Sequence, residues 1–365
     1  MSSLAPNMSP VPATIENLKQ QAIADRASAS LHAQVDGVAA KQTKEQKPYL
    51  EILLRDSTAS FSLRVWSDHP SYEFSSELRA GDFVEVRGDF FVSPSFGLEV
   101  RCWTIRFLTV TEKTDFLAGP LDVQEKQRSD YSTVESSTAS IGDPRLRKLG
   151  LLFLQEFGDR MRRSAGARNY HHARRGGLVE HVAQMMRSSD AVAGVYPGLN
   201  RDLLLAGVLF HDAGKLWENC FPKDSFIMPY DVRGELIGHV AIGVELVNRL
   251  WQRLKESPDF SEWSSLIPDS ELVRLHLVHL VAAHHGEKQF GSPVEPRTPE
   301  AMTLHLIDNL DAKLEMMGNA YQLGKRLSAE VVERVRPLPT NLVEPLPVFS
   351  KKSEEFGLQK QERPN

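Results

Sequence analysis

The period of the apolar residues changes once along the chain, and this change limits the fold more than any other feature. Between about residues 31 and 117, short β-type runs such as YLEILL and SFSLRVW alternate with turn signals. From about residue 143 to residue 334, apolar residues recur at helical spacing. Several short strands with almost no helix between them are typical of a small barrel. We therefore predict a multidomain α+β protein, with a small N-terminal β-barrel followed by an all-α bundle.

The segments around these two halves complete the predicted domain plan. Residues 1–29 begin Ser/Pro-rich and then carry a short helical pattern, which indicates a flexible N-terminus with a short helix. The barrel takes residues 30–117. Residues 118–142 are polar and rich in Ser and Thr, as in a linker. The helical domain takes residues 143–336, and the proline-rich, charged residues 337–365 are predicted to be a disordered tail.

Composition excludes several classes of protein. The 365 residues carry a net charge of −5, and no apolar run approaches the roughly 18–20 residues of a membrane span. The N-terminus has no basic segment followed by an apolar stretch, so we expect no secretory signal. Only two cysteines occur, far apart, which argues against a disulfide framework and a thiolate metal site. We expect a cytoplasmic protein with no membrane partner, and a homo-oligomer stays open.

Ten of the twelve histidines fall between His171 and His305, and an ordered subset lies on helical segments with aspartates. Imidazole and carboxylate on apolar faces are costly to bury unless they are hydrogen-bonded or bind a metal. Without thiolates, such ligands suit a divalent ion such as Mn, Fe, Zn or Ni. Seven candidates exceed what one ion needs, so we predict two divalent ions with Asp212 as the bridge. The candidates are His181, His211, Asp212, His239, His284, His285 and Asp308.

A single histidine on an apolar helix face is more often a hydrogen-bonded core residue than a ligand. Only the ordered set supports metal binding. His276, His279 and His305 are interpreted as ordinary polar residues of the helical domain.

The order H…HD…H…HH…D resembles that of the HD-domain metal-dependent phosphohydrolases. The sequences that flank these residues are more specific: NYHHARRGGLVEH, VLFHDAGKLWE, IGHVAIGVELV, HHGEKQFGSP and LHLIDNLDAKLEMM. Together with a barrel in front, it resembles the YhaM-type 3′–5′ exoribonucleases, which join an OB-fold nucleic-acid-binding domain to an HD domain. The resemblance covers roughly residues 30–330, and it implies that the barrel is an OB-fold and the bundle an HD domain.

By motif position, the resemblance implies that His181, His211, Asp212 and Asp308 hold one ion, and that His239, His284 and His285 complete a second site with Asp212. Manganese is the favoured metal, with Fe, Zn, Ni or Co as alternatives. Lys215 and Asp212 are the expected catalytic residues, because a lysine there neutralises charge on phosphoryl oxygens. Asp311, three residues after Asp308, is expected to orient a ligand histidine.

The distribution of charge bears on nucleic-acid binding. Residues 31–117 hold ten Lys/Arg against thirteen Asp/Glu, so the barrel is mildly acidic. Residues 145–175 hold nine Lys/Arg against two acidic residues and run directly into His181. A phosphate backbone can follow this basic stretch toward the metals. Its candidate substrate contacts are His171, His172, Arg174 and Arg175, although a solvated helix face is the simpler reading.

Two barrel strands repeat a basic–x–aromatic pattern, in Arg64-Val65-Trp66 and Arg101-Cys102-Trp103. Strand alternation puts each arginine and tryptophan on the face opposite the apolar residues. Arg64, Trp66, Arg101 and Trp103 are therefore candidates to pair with phosphates and stack on bases. The alternative is that the tryptophans pack inside the protein.

We predict a metal-dependent 3′–5′ exonuclease that acts on single-stranded RNA or DNA, with the direction taken from the resemblance alone. One alternative is a phosphohydrolase of small nucleotides or cyclic dinucleotides. Another, of a different class, is a non-catalytic RNA-binding protein in which the metal is structural. A complete ligand set with Lys215 argues against the last, because a structural site needs no open dinuclear centre.

Overall fold

A computed structural model of the chain describes residues 12–22, 26–93 and 96–349. The structure divides into two compact units between Glu315 and Met316. The strands are β1 (Ala27–Gln42), β2 (Pro48–Arg55), β3 (Ser60–Trp66), β4 (Phe83–Ser93), β5 (Gly97–Phe107), β6 (Val331–Val332) and β7 (Leu342–Val343). The helices are α1 (Ile15–Gln21), α2 (Tyr72–Glu77), α3 (Val110–Ala118), α4 (Leu121–Ala139), α5 (Pro144–Met161), α6 (Gly177–Val195), α7 (Arg201–Phe210), α8 (Lys215–Glu218), α9 (Val232–Lys255), α10 (Asp259–Glu262), α11 (Ser270–Ala283) and α12 (Pro299–Leu323). Single 3-10 turns cover Trp263–Ser265 and Lys288–Phe290.

Strands β1–β5 form an antiparallel sheet in the order β3-β2-β1-β4-β5. β1 pairs with β4 along its first half and with β2 along its second half, and its register shifts between Val35 and Gly37. Such a bulge bends a strand, which lets β1 serve two neighbours. The edge strands β3 and β5 lie side by side, and there Arg64 approaches Glu99 to 3.7 Å. The sheet therefore closes into an OB-like barrel, and the predicted fold class is confirmed.

Trp103 corrects the predicted barrel surface. The alternation of β5 predicts Arg101 and Trp103 on one outer face, but the register against β4 shifts opposite Gly88, and Cys102 adopts a φ of 49°. This bulge reverses the alternation, so Trp103 enters the barrel core with 7% exposure while Arg101 stays exposed. Gly88 is required there, because a Cβ at this position would lie 2.7 Å from the Cβ of Trp103.

The helical part packs around α7, whose residues 203–210 are all buried, as the apolar run predicts. The segment 118–142, predicted to be a linker, is instead mostly helix α4. Tyr131, Val134 and Thr138 of α4 are buried, and the first two belong to the main helical core. Their i, i+3, i+7 spacing gives an otherwise polar helix one narrow apolar face. The linker prediction is therefore wrong, and α4 is part of the helical domain.

The end of the chain also differs from its prediction as a disordered tail. β6 pairs with β7, and Val332, Leu338 and Leu342 bury a small core of their own. The predicted tail is thus ordered at its start, while residues 350–365 lie outside the described residues. Residues 1–11 of the predicted flexible N-terminus also lie outside them, and α1 is the short helix predicted after it. None of the helices in the described ranges is both long and apolar enough to cross a membrane.

Candidate metal centre

Five helices bring the seven predicted ligands together. His181 lies in the second turn of α6, and Asp308 lies in the middle of α12. His211-Asp212 and His284-His285 directly follow the last residues of α7 and α11. His239 follows Gly238, which has a φ of 70° and interrupts the helical geometry of α9. Two of the ligand pairs thus lie at helix C-termini, where the helix dipole favours a cation.

Each of the five histidines has its Nδ1 held by an acceptor. Carbonyl oxygens accept from three rings and carboxylates contact the other two, at distances of 2.7–2.8 Å. A carbonyl can only accept, so the proton of those three rings is on Nδ1 and the lone pair is on Nε2. This arrangement fixes the tautomer of a metal-binding histidine. The pairs are His181–Asp311, His211–Val208, His239–Glu218, His284–Val281 and His285–Phe290.

The Nε2 atoms of these rings face one another. Those of His181 and His211 are 3.2 Å apart, and those of His239 and His285 are also 3.2 Å apart. Two lone pairs at that distance repel unless a proton or a metal cation lies between them. The cluster therefore requires positive charge at its centre.

Asp212 lies between two groups of rings. Its Oδ2 is 3.3 Å from Nε2 of His211 and 3.7 Å from Nε2 of His181. Its Oδ1 is 3.7 Å from Nε2 of both His239 and His284. Asp212 Oδ1 and His284 Nε2 are buried without a hydrogen-bond partner, which is costly unless something else binds them. These residues fit a pair of divalent cations with Asp212 shared between them.

The pKa values describe the same centre. Burial lowers the pKa of His181, but hydrogen bonds to Asp308 and Asp311 outweigh burial and raise it to about 9. Burial lowers the pKa of His284 well below its ordinary value, and the neighbouring rings of His285 and His211 lower it further. The carboxylates of Asp308 and Asp311 therefore favour positive charge at His181, which a bound cation would supply, while burial keeps His284 neutral, the form that binds metal.

Lys215 and Glu218 extend from the short helix α8 into the centre. The Nζ of Lys215 is 2.7 Å from Oδ2 of Asp212, and the lysine is 7% exposed. With burial opposing it, the cationic Lys215 is the main cause that lowers the pKa of Asp212 well below its usual range. Glu218 contacts Nδ1 of His239 at 2.8 Å. Glu218 is not among the residues predicted from the sequence, although its position one turn after Lys215 on the same short helix could have indicated it.

Asp311 joins two histidines. Its Oδ2 lies 2.7 Å from Nδ1 of His181 and 2.9 Å from Nε2 of His172, a position from which it can orient the His181 ring. His172 is fully buried, so its predicted role as a substrate contact is corrected to packing beside Asp311. His171 is half-buried, with its ring centre 5.8 Å from that of His181. Burial is the largest cause that lowers its pKa to about 4, followed by the charges of Lys215 and His181.

Arg174 and Arg175, both predicted to contact substrate, are instead occupied within the protein. Arg174 forms ion pairs with Glu180 at 2.5 Å and with Glu315 at 2.7 Å. Arg175 donates to the backbone carbonyls of residues 222, 223 and 225. Both arginines therefore fix the loop that precedes α6.

On the barrel, the other predicted contacts differ in exposure and in partners. Trp66 is 37% exposed, with the Tyr49 ring centre at 5.1 Å and the Lys47 ammonium at 5.6 Å. The guanidinium of Arg64 lies 4.2 Å from the ring centre of Phe96, and that of Arg101 lies 4.5 Å from Phe91. Trp66 is therefore the predicted aromatic residue that remains available for stacking.

Buried Trp103 has a partner that the sequence analysis missed. The ring of His69 stacks on Trp103 at 4.0 Å between centres and 10° between planes. The loop between β3 and α2 carries His69, and no local motif marks it.

The chain thus joins an OB-like barrel to a helical domain in which buried histidines and aspartates could hold metal ions. Residues 178–313 match the family described as HD domain, which indicates a metal-dependent phosphohydrolase. Among solved structures, the chain is similar to the replication factor A related protein from Methanobacterium thermoautotrophicum. That match has 16% identity and covers 27% of this chain and 92% of the other, with a TM-score of 0.21, too low to support an argument.

Proposed function

We propose that the protein is a metal-dependent 3′–5′ exonuclease that hydrolyses phosphodiester bonds of single-stranded RNA. The observation that carries this proposal is the position of Asp212, whose two oxygens each face a different group of histidine Nε2 atoms. A site of this kind fits two ions, and phosphoester hydrolysis is a common use of such pairs. The OB-like barrel supplies the reason to expect a nucleic acid as the substrate.

We assign His181, His211, Asp212 and Asp308 as the residues that would hold the first ion. His239, His284 and His285, together with Asp212, would hold the second. When bound, two divalent ions activate a water molecule and neutralise charge on the phosphoryl oxygens. We favour Mn²⁺, because imidazole and carboxylate ligands suit it.

The protein side chains around this centre bind and orient the substrate. Lys215 brings a positive charge next to Asp212, where it can stabilise charge that develops on phosphoryl oxygens. His171, neutral because its pKa is about 4, can donate or accept a hydrogen bond at a phosphate or a leaving hydroxyl. Glu218 and Asp311 hold the rings of His239 and His181 in their orientations.

We assign binding of the single-stranded RNA to the barrel. Trp66, with Lys47 and Tyr49 around it, offers an aromatic face beside a cation, which suits stacking on successive bases. The exposed Arg101 adds a phosphate contact. The 3′-to-5′ direction rests on the resemblance to YhaM-type exoribonucleases.

The proposal is tested with single-stranded RNA labelled at its 5′ end, incubated with the protein and Mn²⁺. The expected result is a ladder that shortens from the 3′ end, and the double variant His211→Ala/Asp212→Ala should abolish it while the far-UV CD spectrum stays helical. Cyclic dinucleotides and nucleoside phosphates are tested in parallel. Cleavage of only the small substrates would contradict the proposal, as would activity that survives in the double variant.

A further inference from the structure

An open cavity near the metal centre is lined by two aromatic residues, one arginine and several apolar side chains that have no role in the proposed chemistry. Its volume is about 640 Å³, within the roughly 300–1,000 Å³ range of small-molecule sites. It lies between α8 and the first part of α9, and its lining includes Trp217, Tyr230, Arg233, Leu236 and Ile237.

The apolar part of this wall faces solvent. Tyr230 is 74% exposed, Leu236 is 77% exposed and Ile237 is 48% exposed. The non-helical Gly238 separates this first part of α9 from the remainder, which packs into the core. The helical core therefore does not account for these side chains, and a cluster of exposed apolar residues beside a catalytic centre is typical of a binding surface.

Arginines lie against both aromatic rings of the cavity. The guanidinium of Arg168 is 4.0 Å from the ring centre of Tyr230, and that of Arg233 is 5.0 Å from the ring centre of Trp217. Arg168 donates to backbone carbonyls of residues 218, 228 and 229 rather than to a carboxylate, so these bonds leave its charge unneutralised. Asp231 caps α9 through the backbone N–H groups of Arg233 and Gly234. Arg233 forms an ion pair with Glu245 at 2.6 Å, so the charge available to a phosphate is that of Arg168 beside the exposed ring of Tyr230. An exposed aromatic ring next to a cation matches a base and its phosphate.

Two residues of the cavity lining lie close in sequence to the metal centre. Trp217 is followed by Glu218, which contacts Nδ1 of His239 at 2.8 Å. On the other wall, Ile237 is followed by Gly238 and then by His239 itself. The cavity wall at Ile237 is two residues from His239, so a nucleotide next to a phosphate held at the metal centre can reach it.

We propose that this cavity binds a nucleobase of the single-stranded substrate, stacked on Tyr230, with the adjacent phosphate near Arg168. This site rests on the proposed function and adds a base-binding position to it. It is separate from the barrel surface around Trp66.

The test measures equilibrium binding of a fluorescent single-stranded RNA with hydrolysis-resistant phosphorothioate linkages to the Mn²⁺-loaded full chain. Tyr230→Ala should weaken binding roughly tenfold, the size of one lost stacking contact. Tyr230→Phe keeps the ring and should bind as the wild type does. Tyr196→Ala is the matched control, because Tyr196 is also exposed, at 62%, but lies at the end of α6.

An RNA with abasic positions near its 3′ end makes the test specific. The abasic RNA should bind wild type about as weakly as intact RNA binds Tyr230→Ala, and the variant should lose nothing further. The proposal is overturned if Tyr230→Ala binds like the Tyr196→Ala control, if Tyr230→Phe is as weak as Tyr230→Ala, or if wild type fails to bind RNA. Failure of the exonuclease is seen separately, as the absence of a ladder with unmodified RNA.

Discussion

The two groups of metal ligands can be disrupted one at a time. His181→Ala removes a ring from the group that also contains His211 and Asp308, and His239→Ala removes a ring from the group of His284 and His285. Because only Asp212 contributes an oxygen to both groups, each single variant should retain one ion per chain where wild type holds two. His276→Ala, on α11 outside both groups, is the control and should retain two.

The size of the effect follows from linkage between binding and folding. An ion that binds only the folded state stabilises it by about 2.7 kcal/mol at 100 times its dissociation constant. In a domain of 150–250 residues, 1 kcal/mol corresponds to roughly 2–4 °C in Tm. Each bound ion is therefore worth about 5–10 °C under those conditions. Either single variant should gain about half the increase in Tm that Mn²⁺ gives to wild type.

Two measurements on the same samples check this prediction. Elemental analysis after gel filtration gives the number of ions per chain, and thermal unfolding followed by far-UV CD gives the Tm with Mn²⁺ and with EDTA. Loss of both ions in either variant would refute the division into two groups. Retention of two ions in both variants would refute the ligand assignment.

Four other variants test separate parts of the structure. Trp103→Ala should destabilise the barrel by about 3–5 kcal/mol in urea unfolding, because its ring is in the core. Trp66→Ala should leave the stability unchanged. It should weaken binding of long RNA more than turnover of a dinucleotide. Val134→Ala should lower the stability of the helical domain by about 1–3 kcal/mol in the same assay, because Val134 is fully buried; no change would mean that α4 is a linker after all. Glu218→Gln should weaken Mn²⁺ binding by roughly 10–100-fold in a calorimetric titration, since it loses the carboxylate that holds His239. Unchanged affinity would show that Glu218 does not orient the His239 ring for metal binding.

That the seven candidate ligands lie close together was predictable, because the sequence places several of them in adjacent pairs and at the ends of helices. His211-Asp212 and His284-His285 each follow an apolar helical run, so their meeting in space needs only that the two helices pack together. The role of α12 was harder to predict. Its repeat of Leu306, Leu310 and Leu314 suggests a buried face, yet these residues are 54–58% exposed. The face with Asp308 turns inward instead.

The errors have physical causes that local patterns do not contain. α4 is polar over most of its surface, and it is helical because a narrow face around Val134 packs against the helical core. The prediction for Trp103 is wrong because one extra residue in a strand moves every later side chain to the opposite face of the sheet. The alternation of residue types in the sequence does not reveal such an insertion. The residue that could have indicated this bulge is Gly88, on the partner strand β4. The basic run predicts that Arg174 and Arg175 contact substrate, but a run of basic residues does not reveal whether acceptors within the protein already bind them.

The ligand pairs lie at the ends of α7 and α11, so the number of residues in each helix determines where its ligands lie. His211 and His284 are each oriented by the carbonyl three residues earlier in their own helix. One residue inserted into α7 would advance its end by about 1.5 Å and rotate it by about 100°, turning both His211 and Asp212 away from the other ligands. Side-chain substitutions can be compensated locally, whereas a change in the residue count of these two helices cannot.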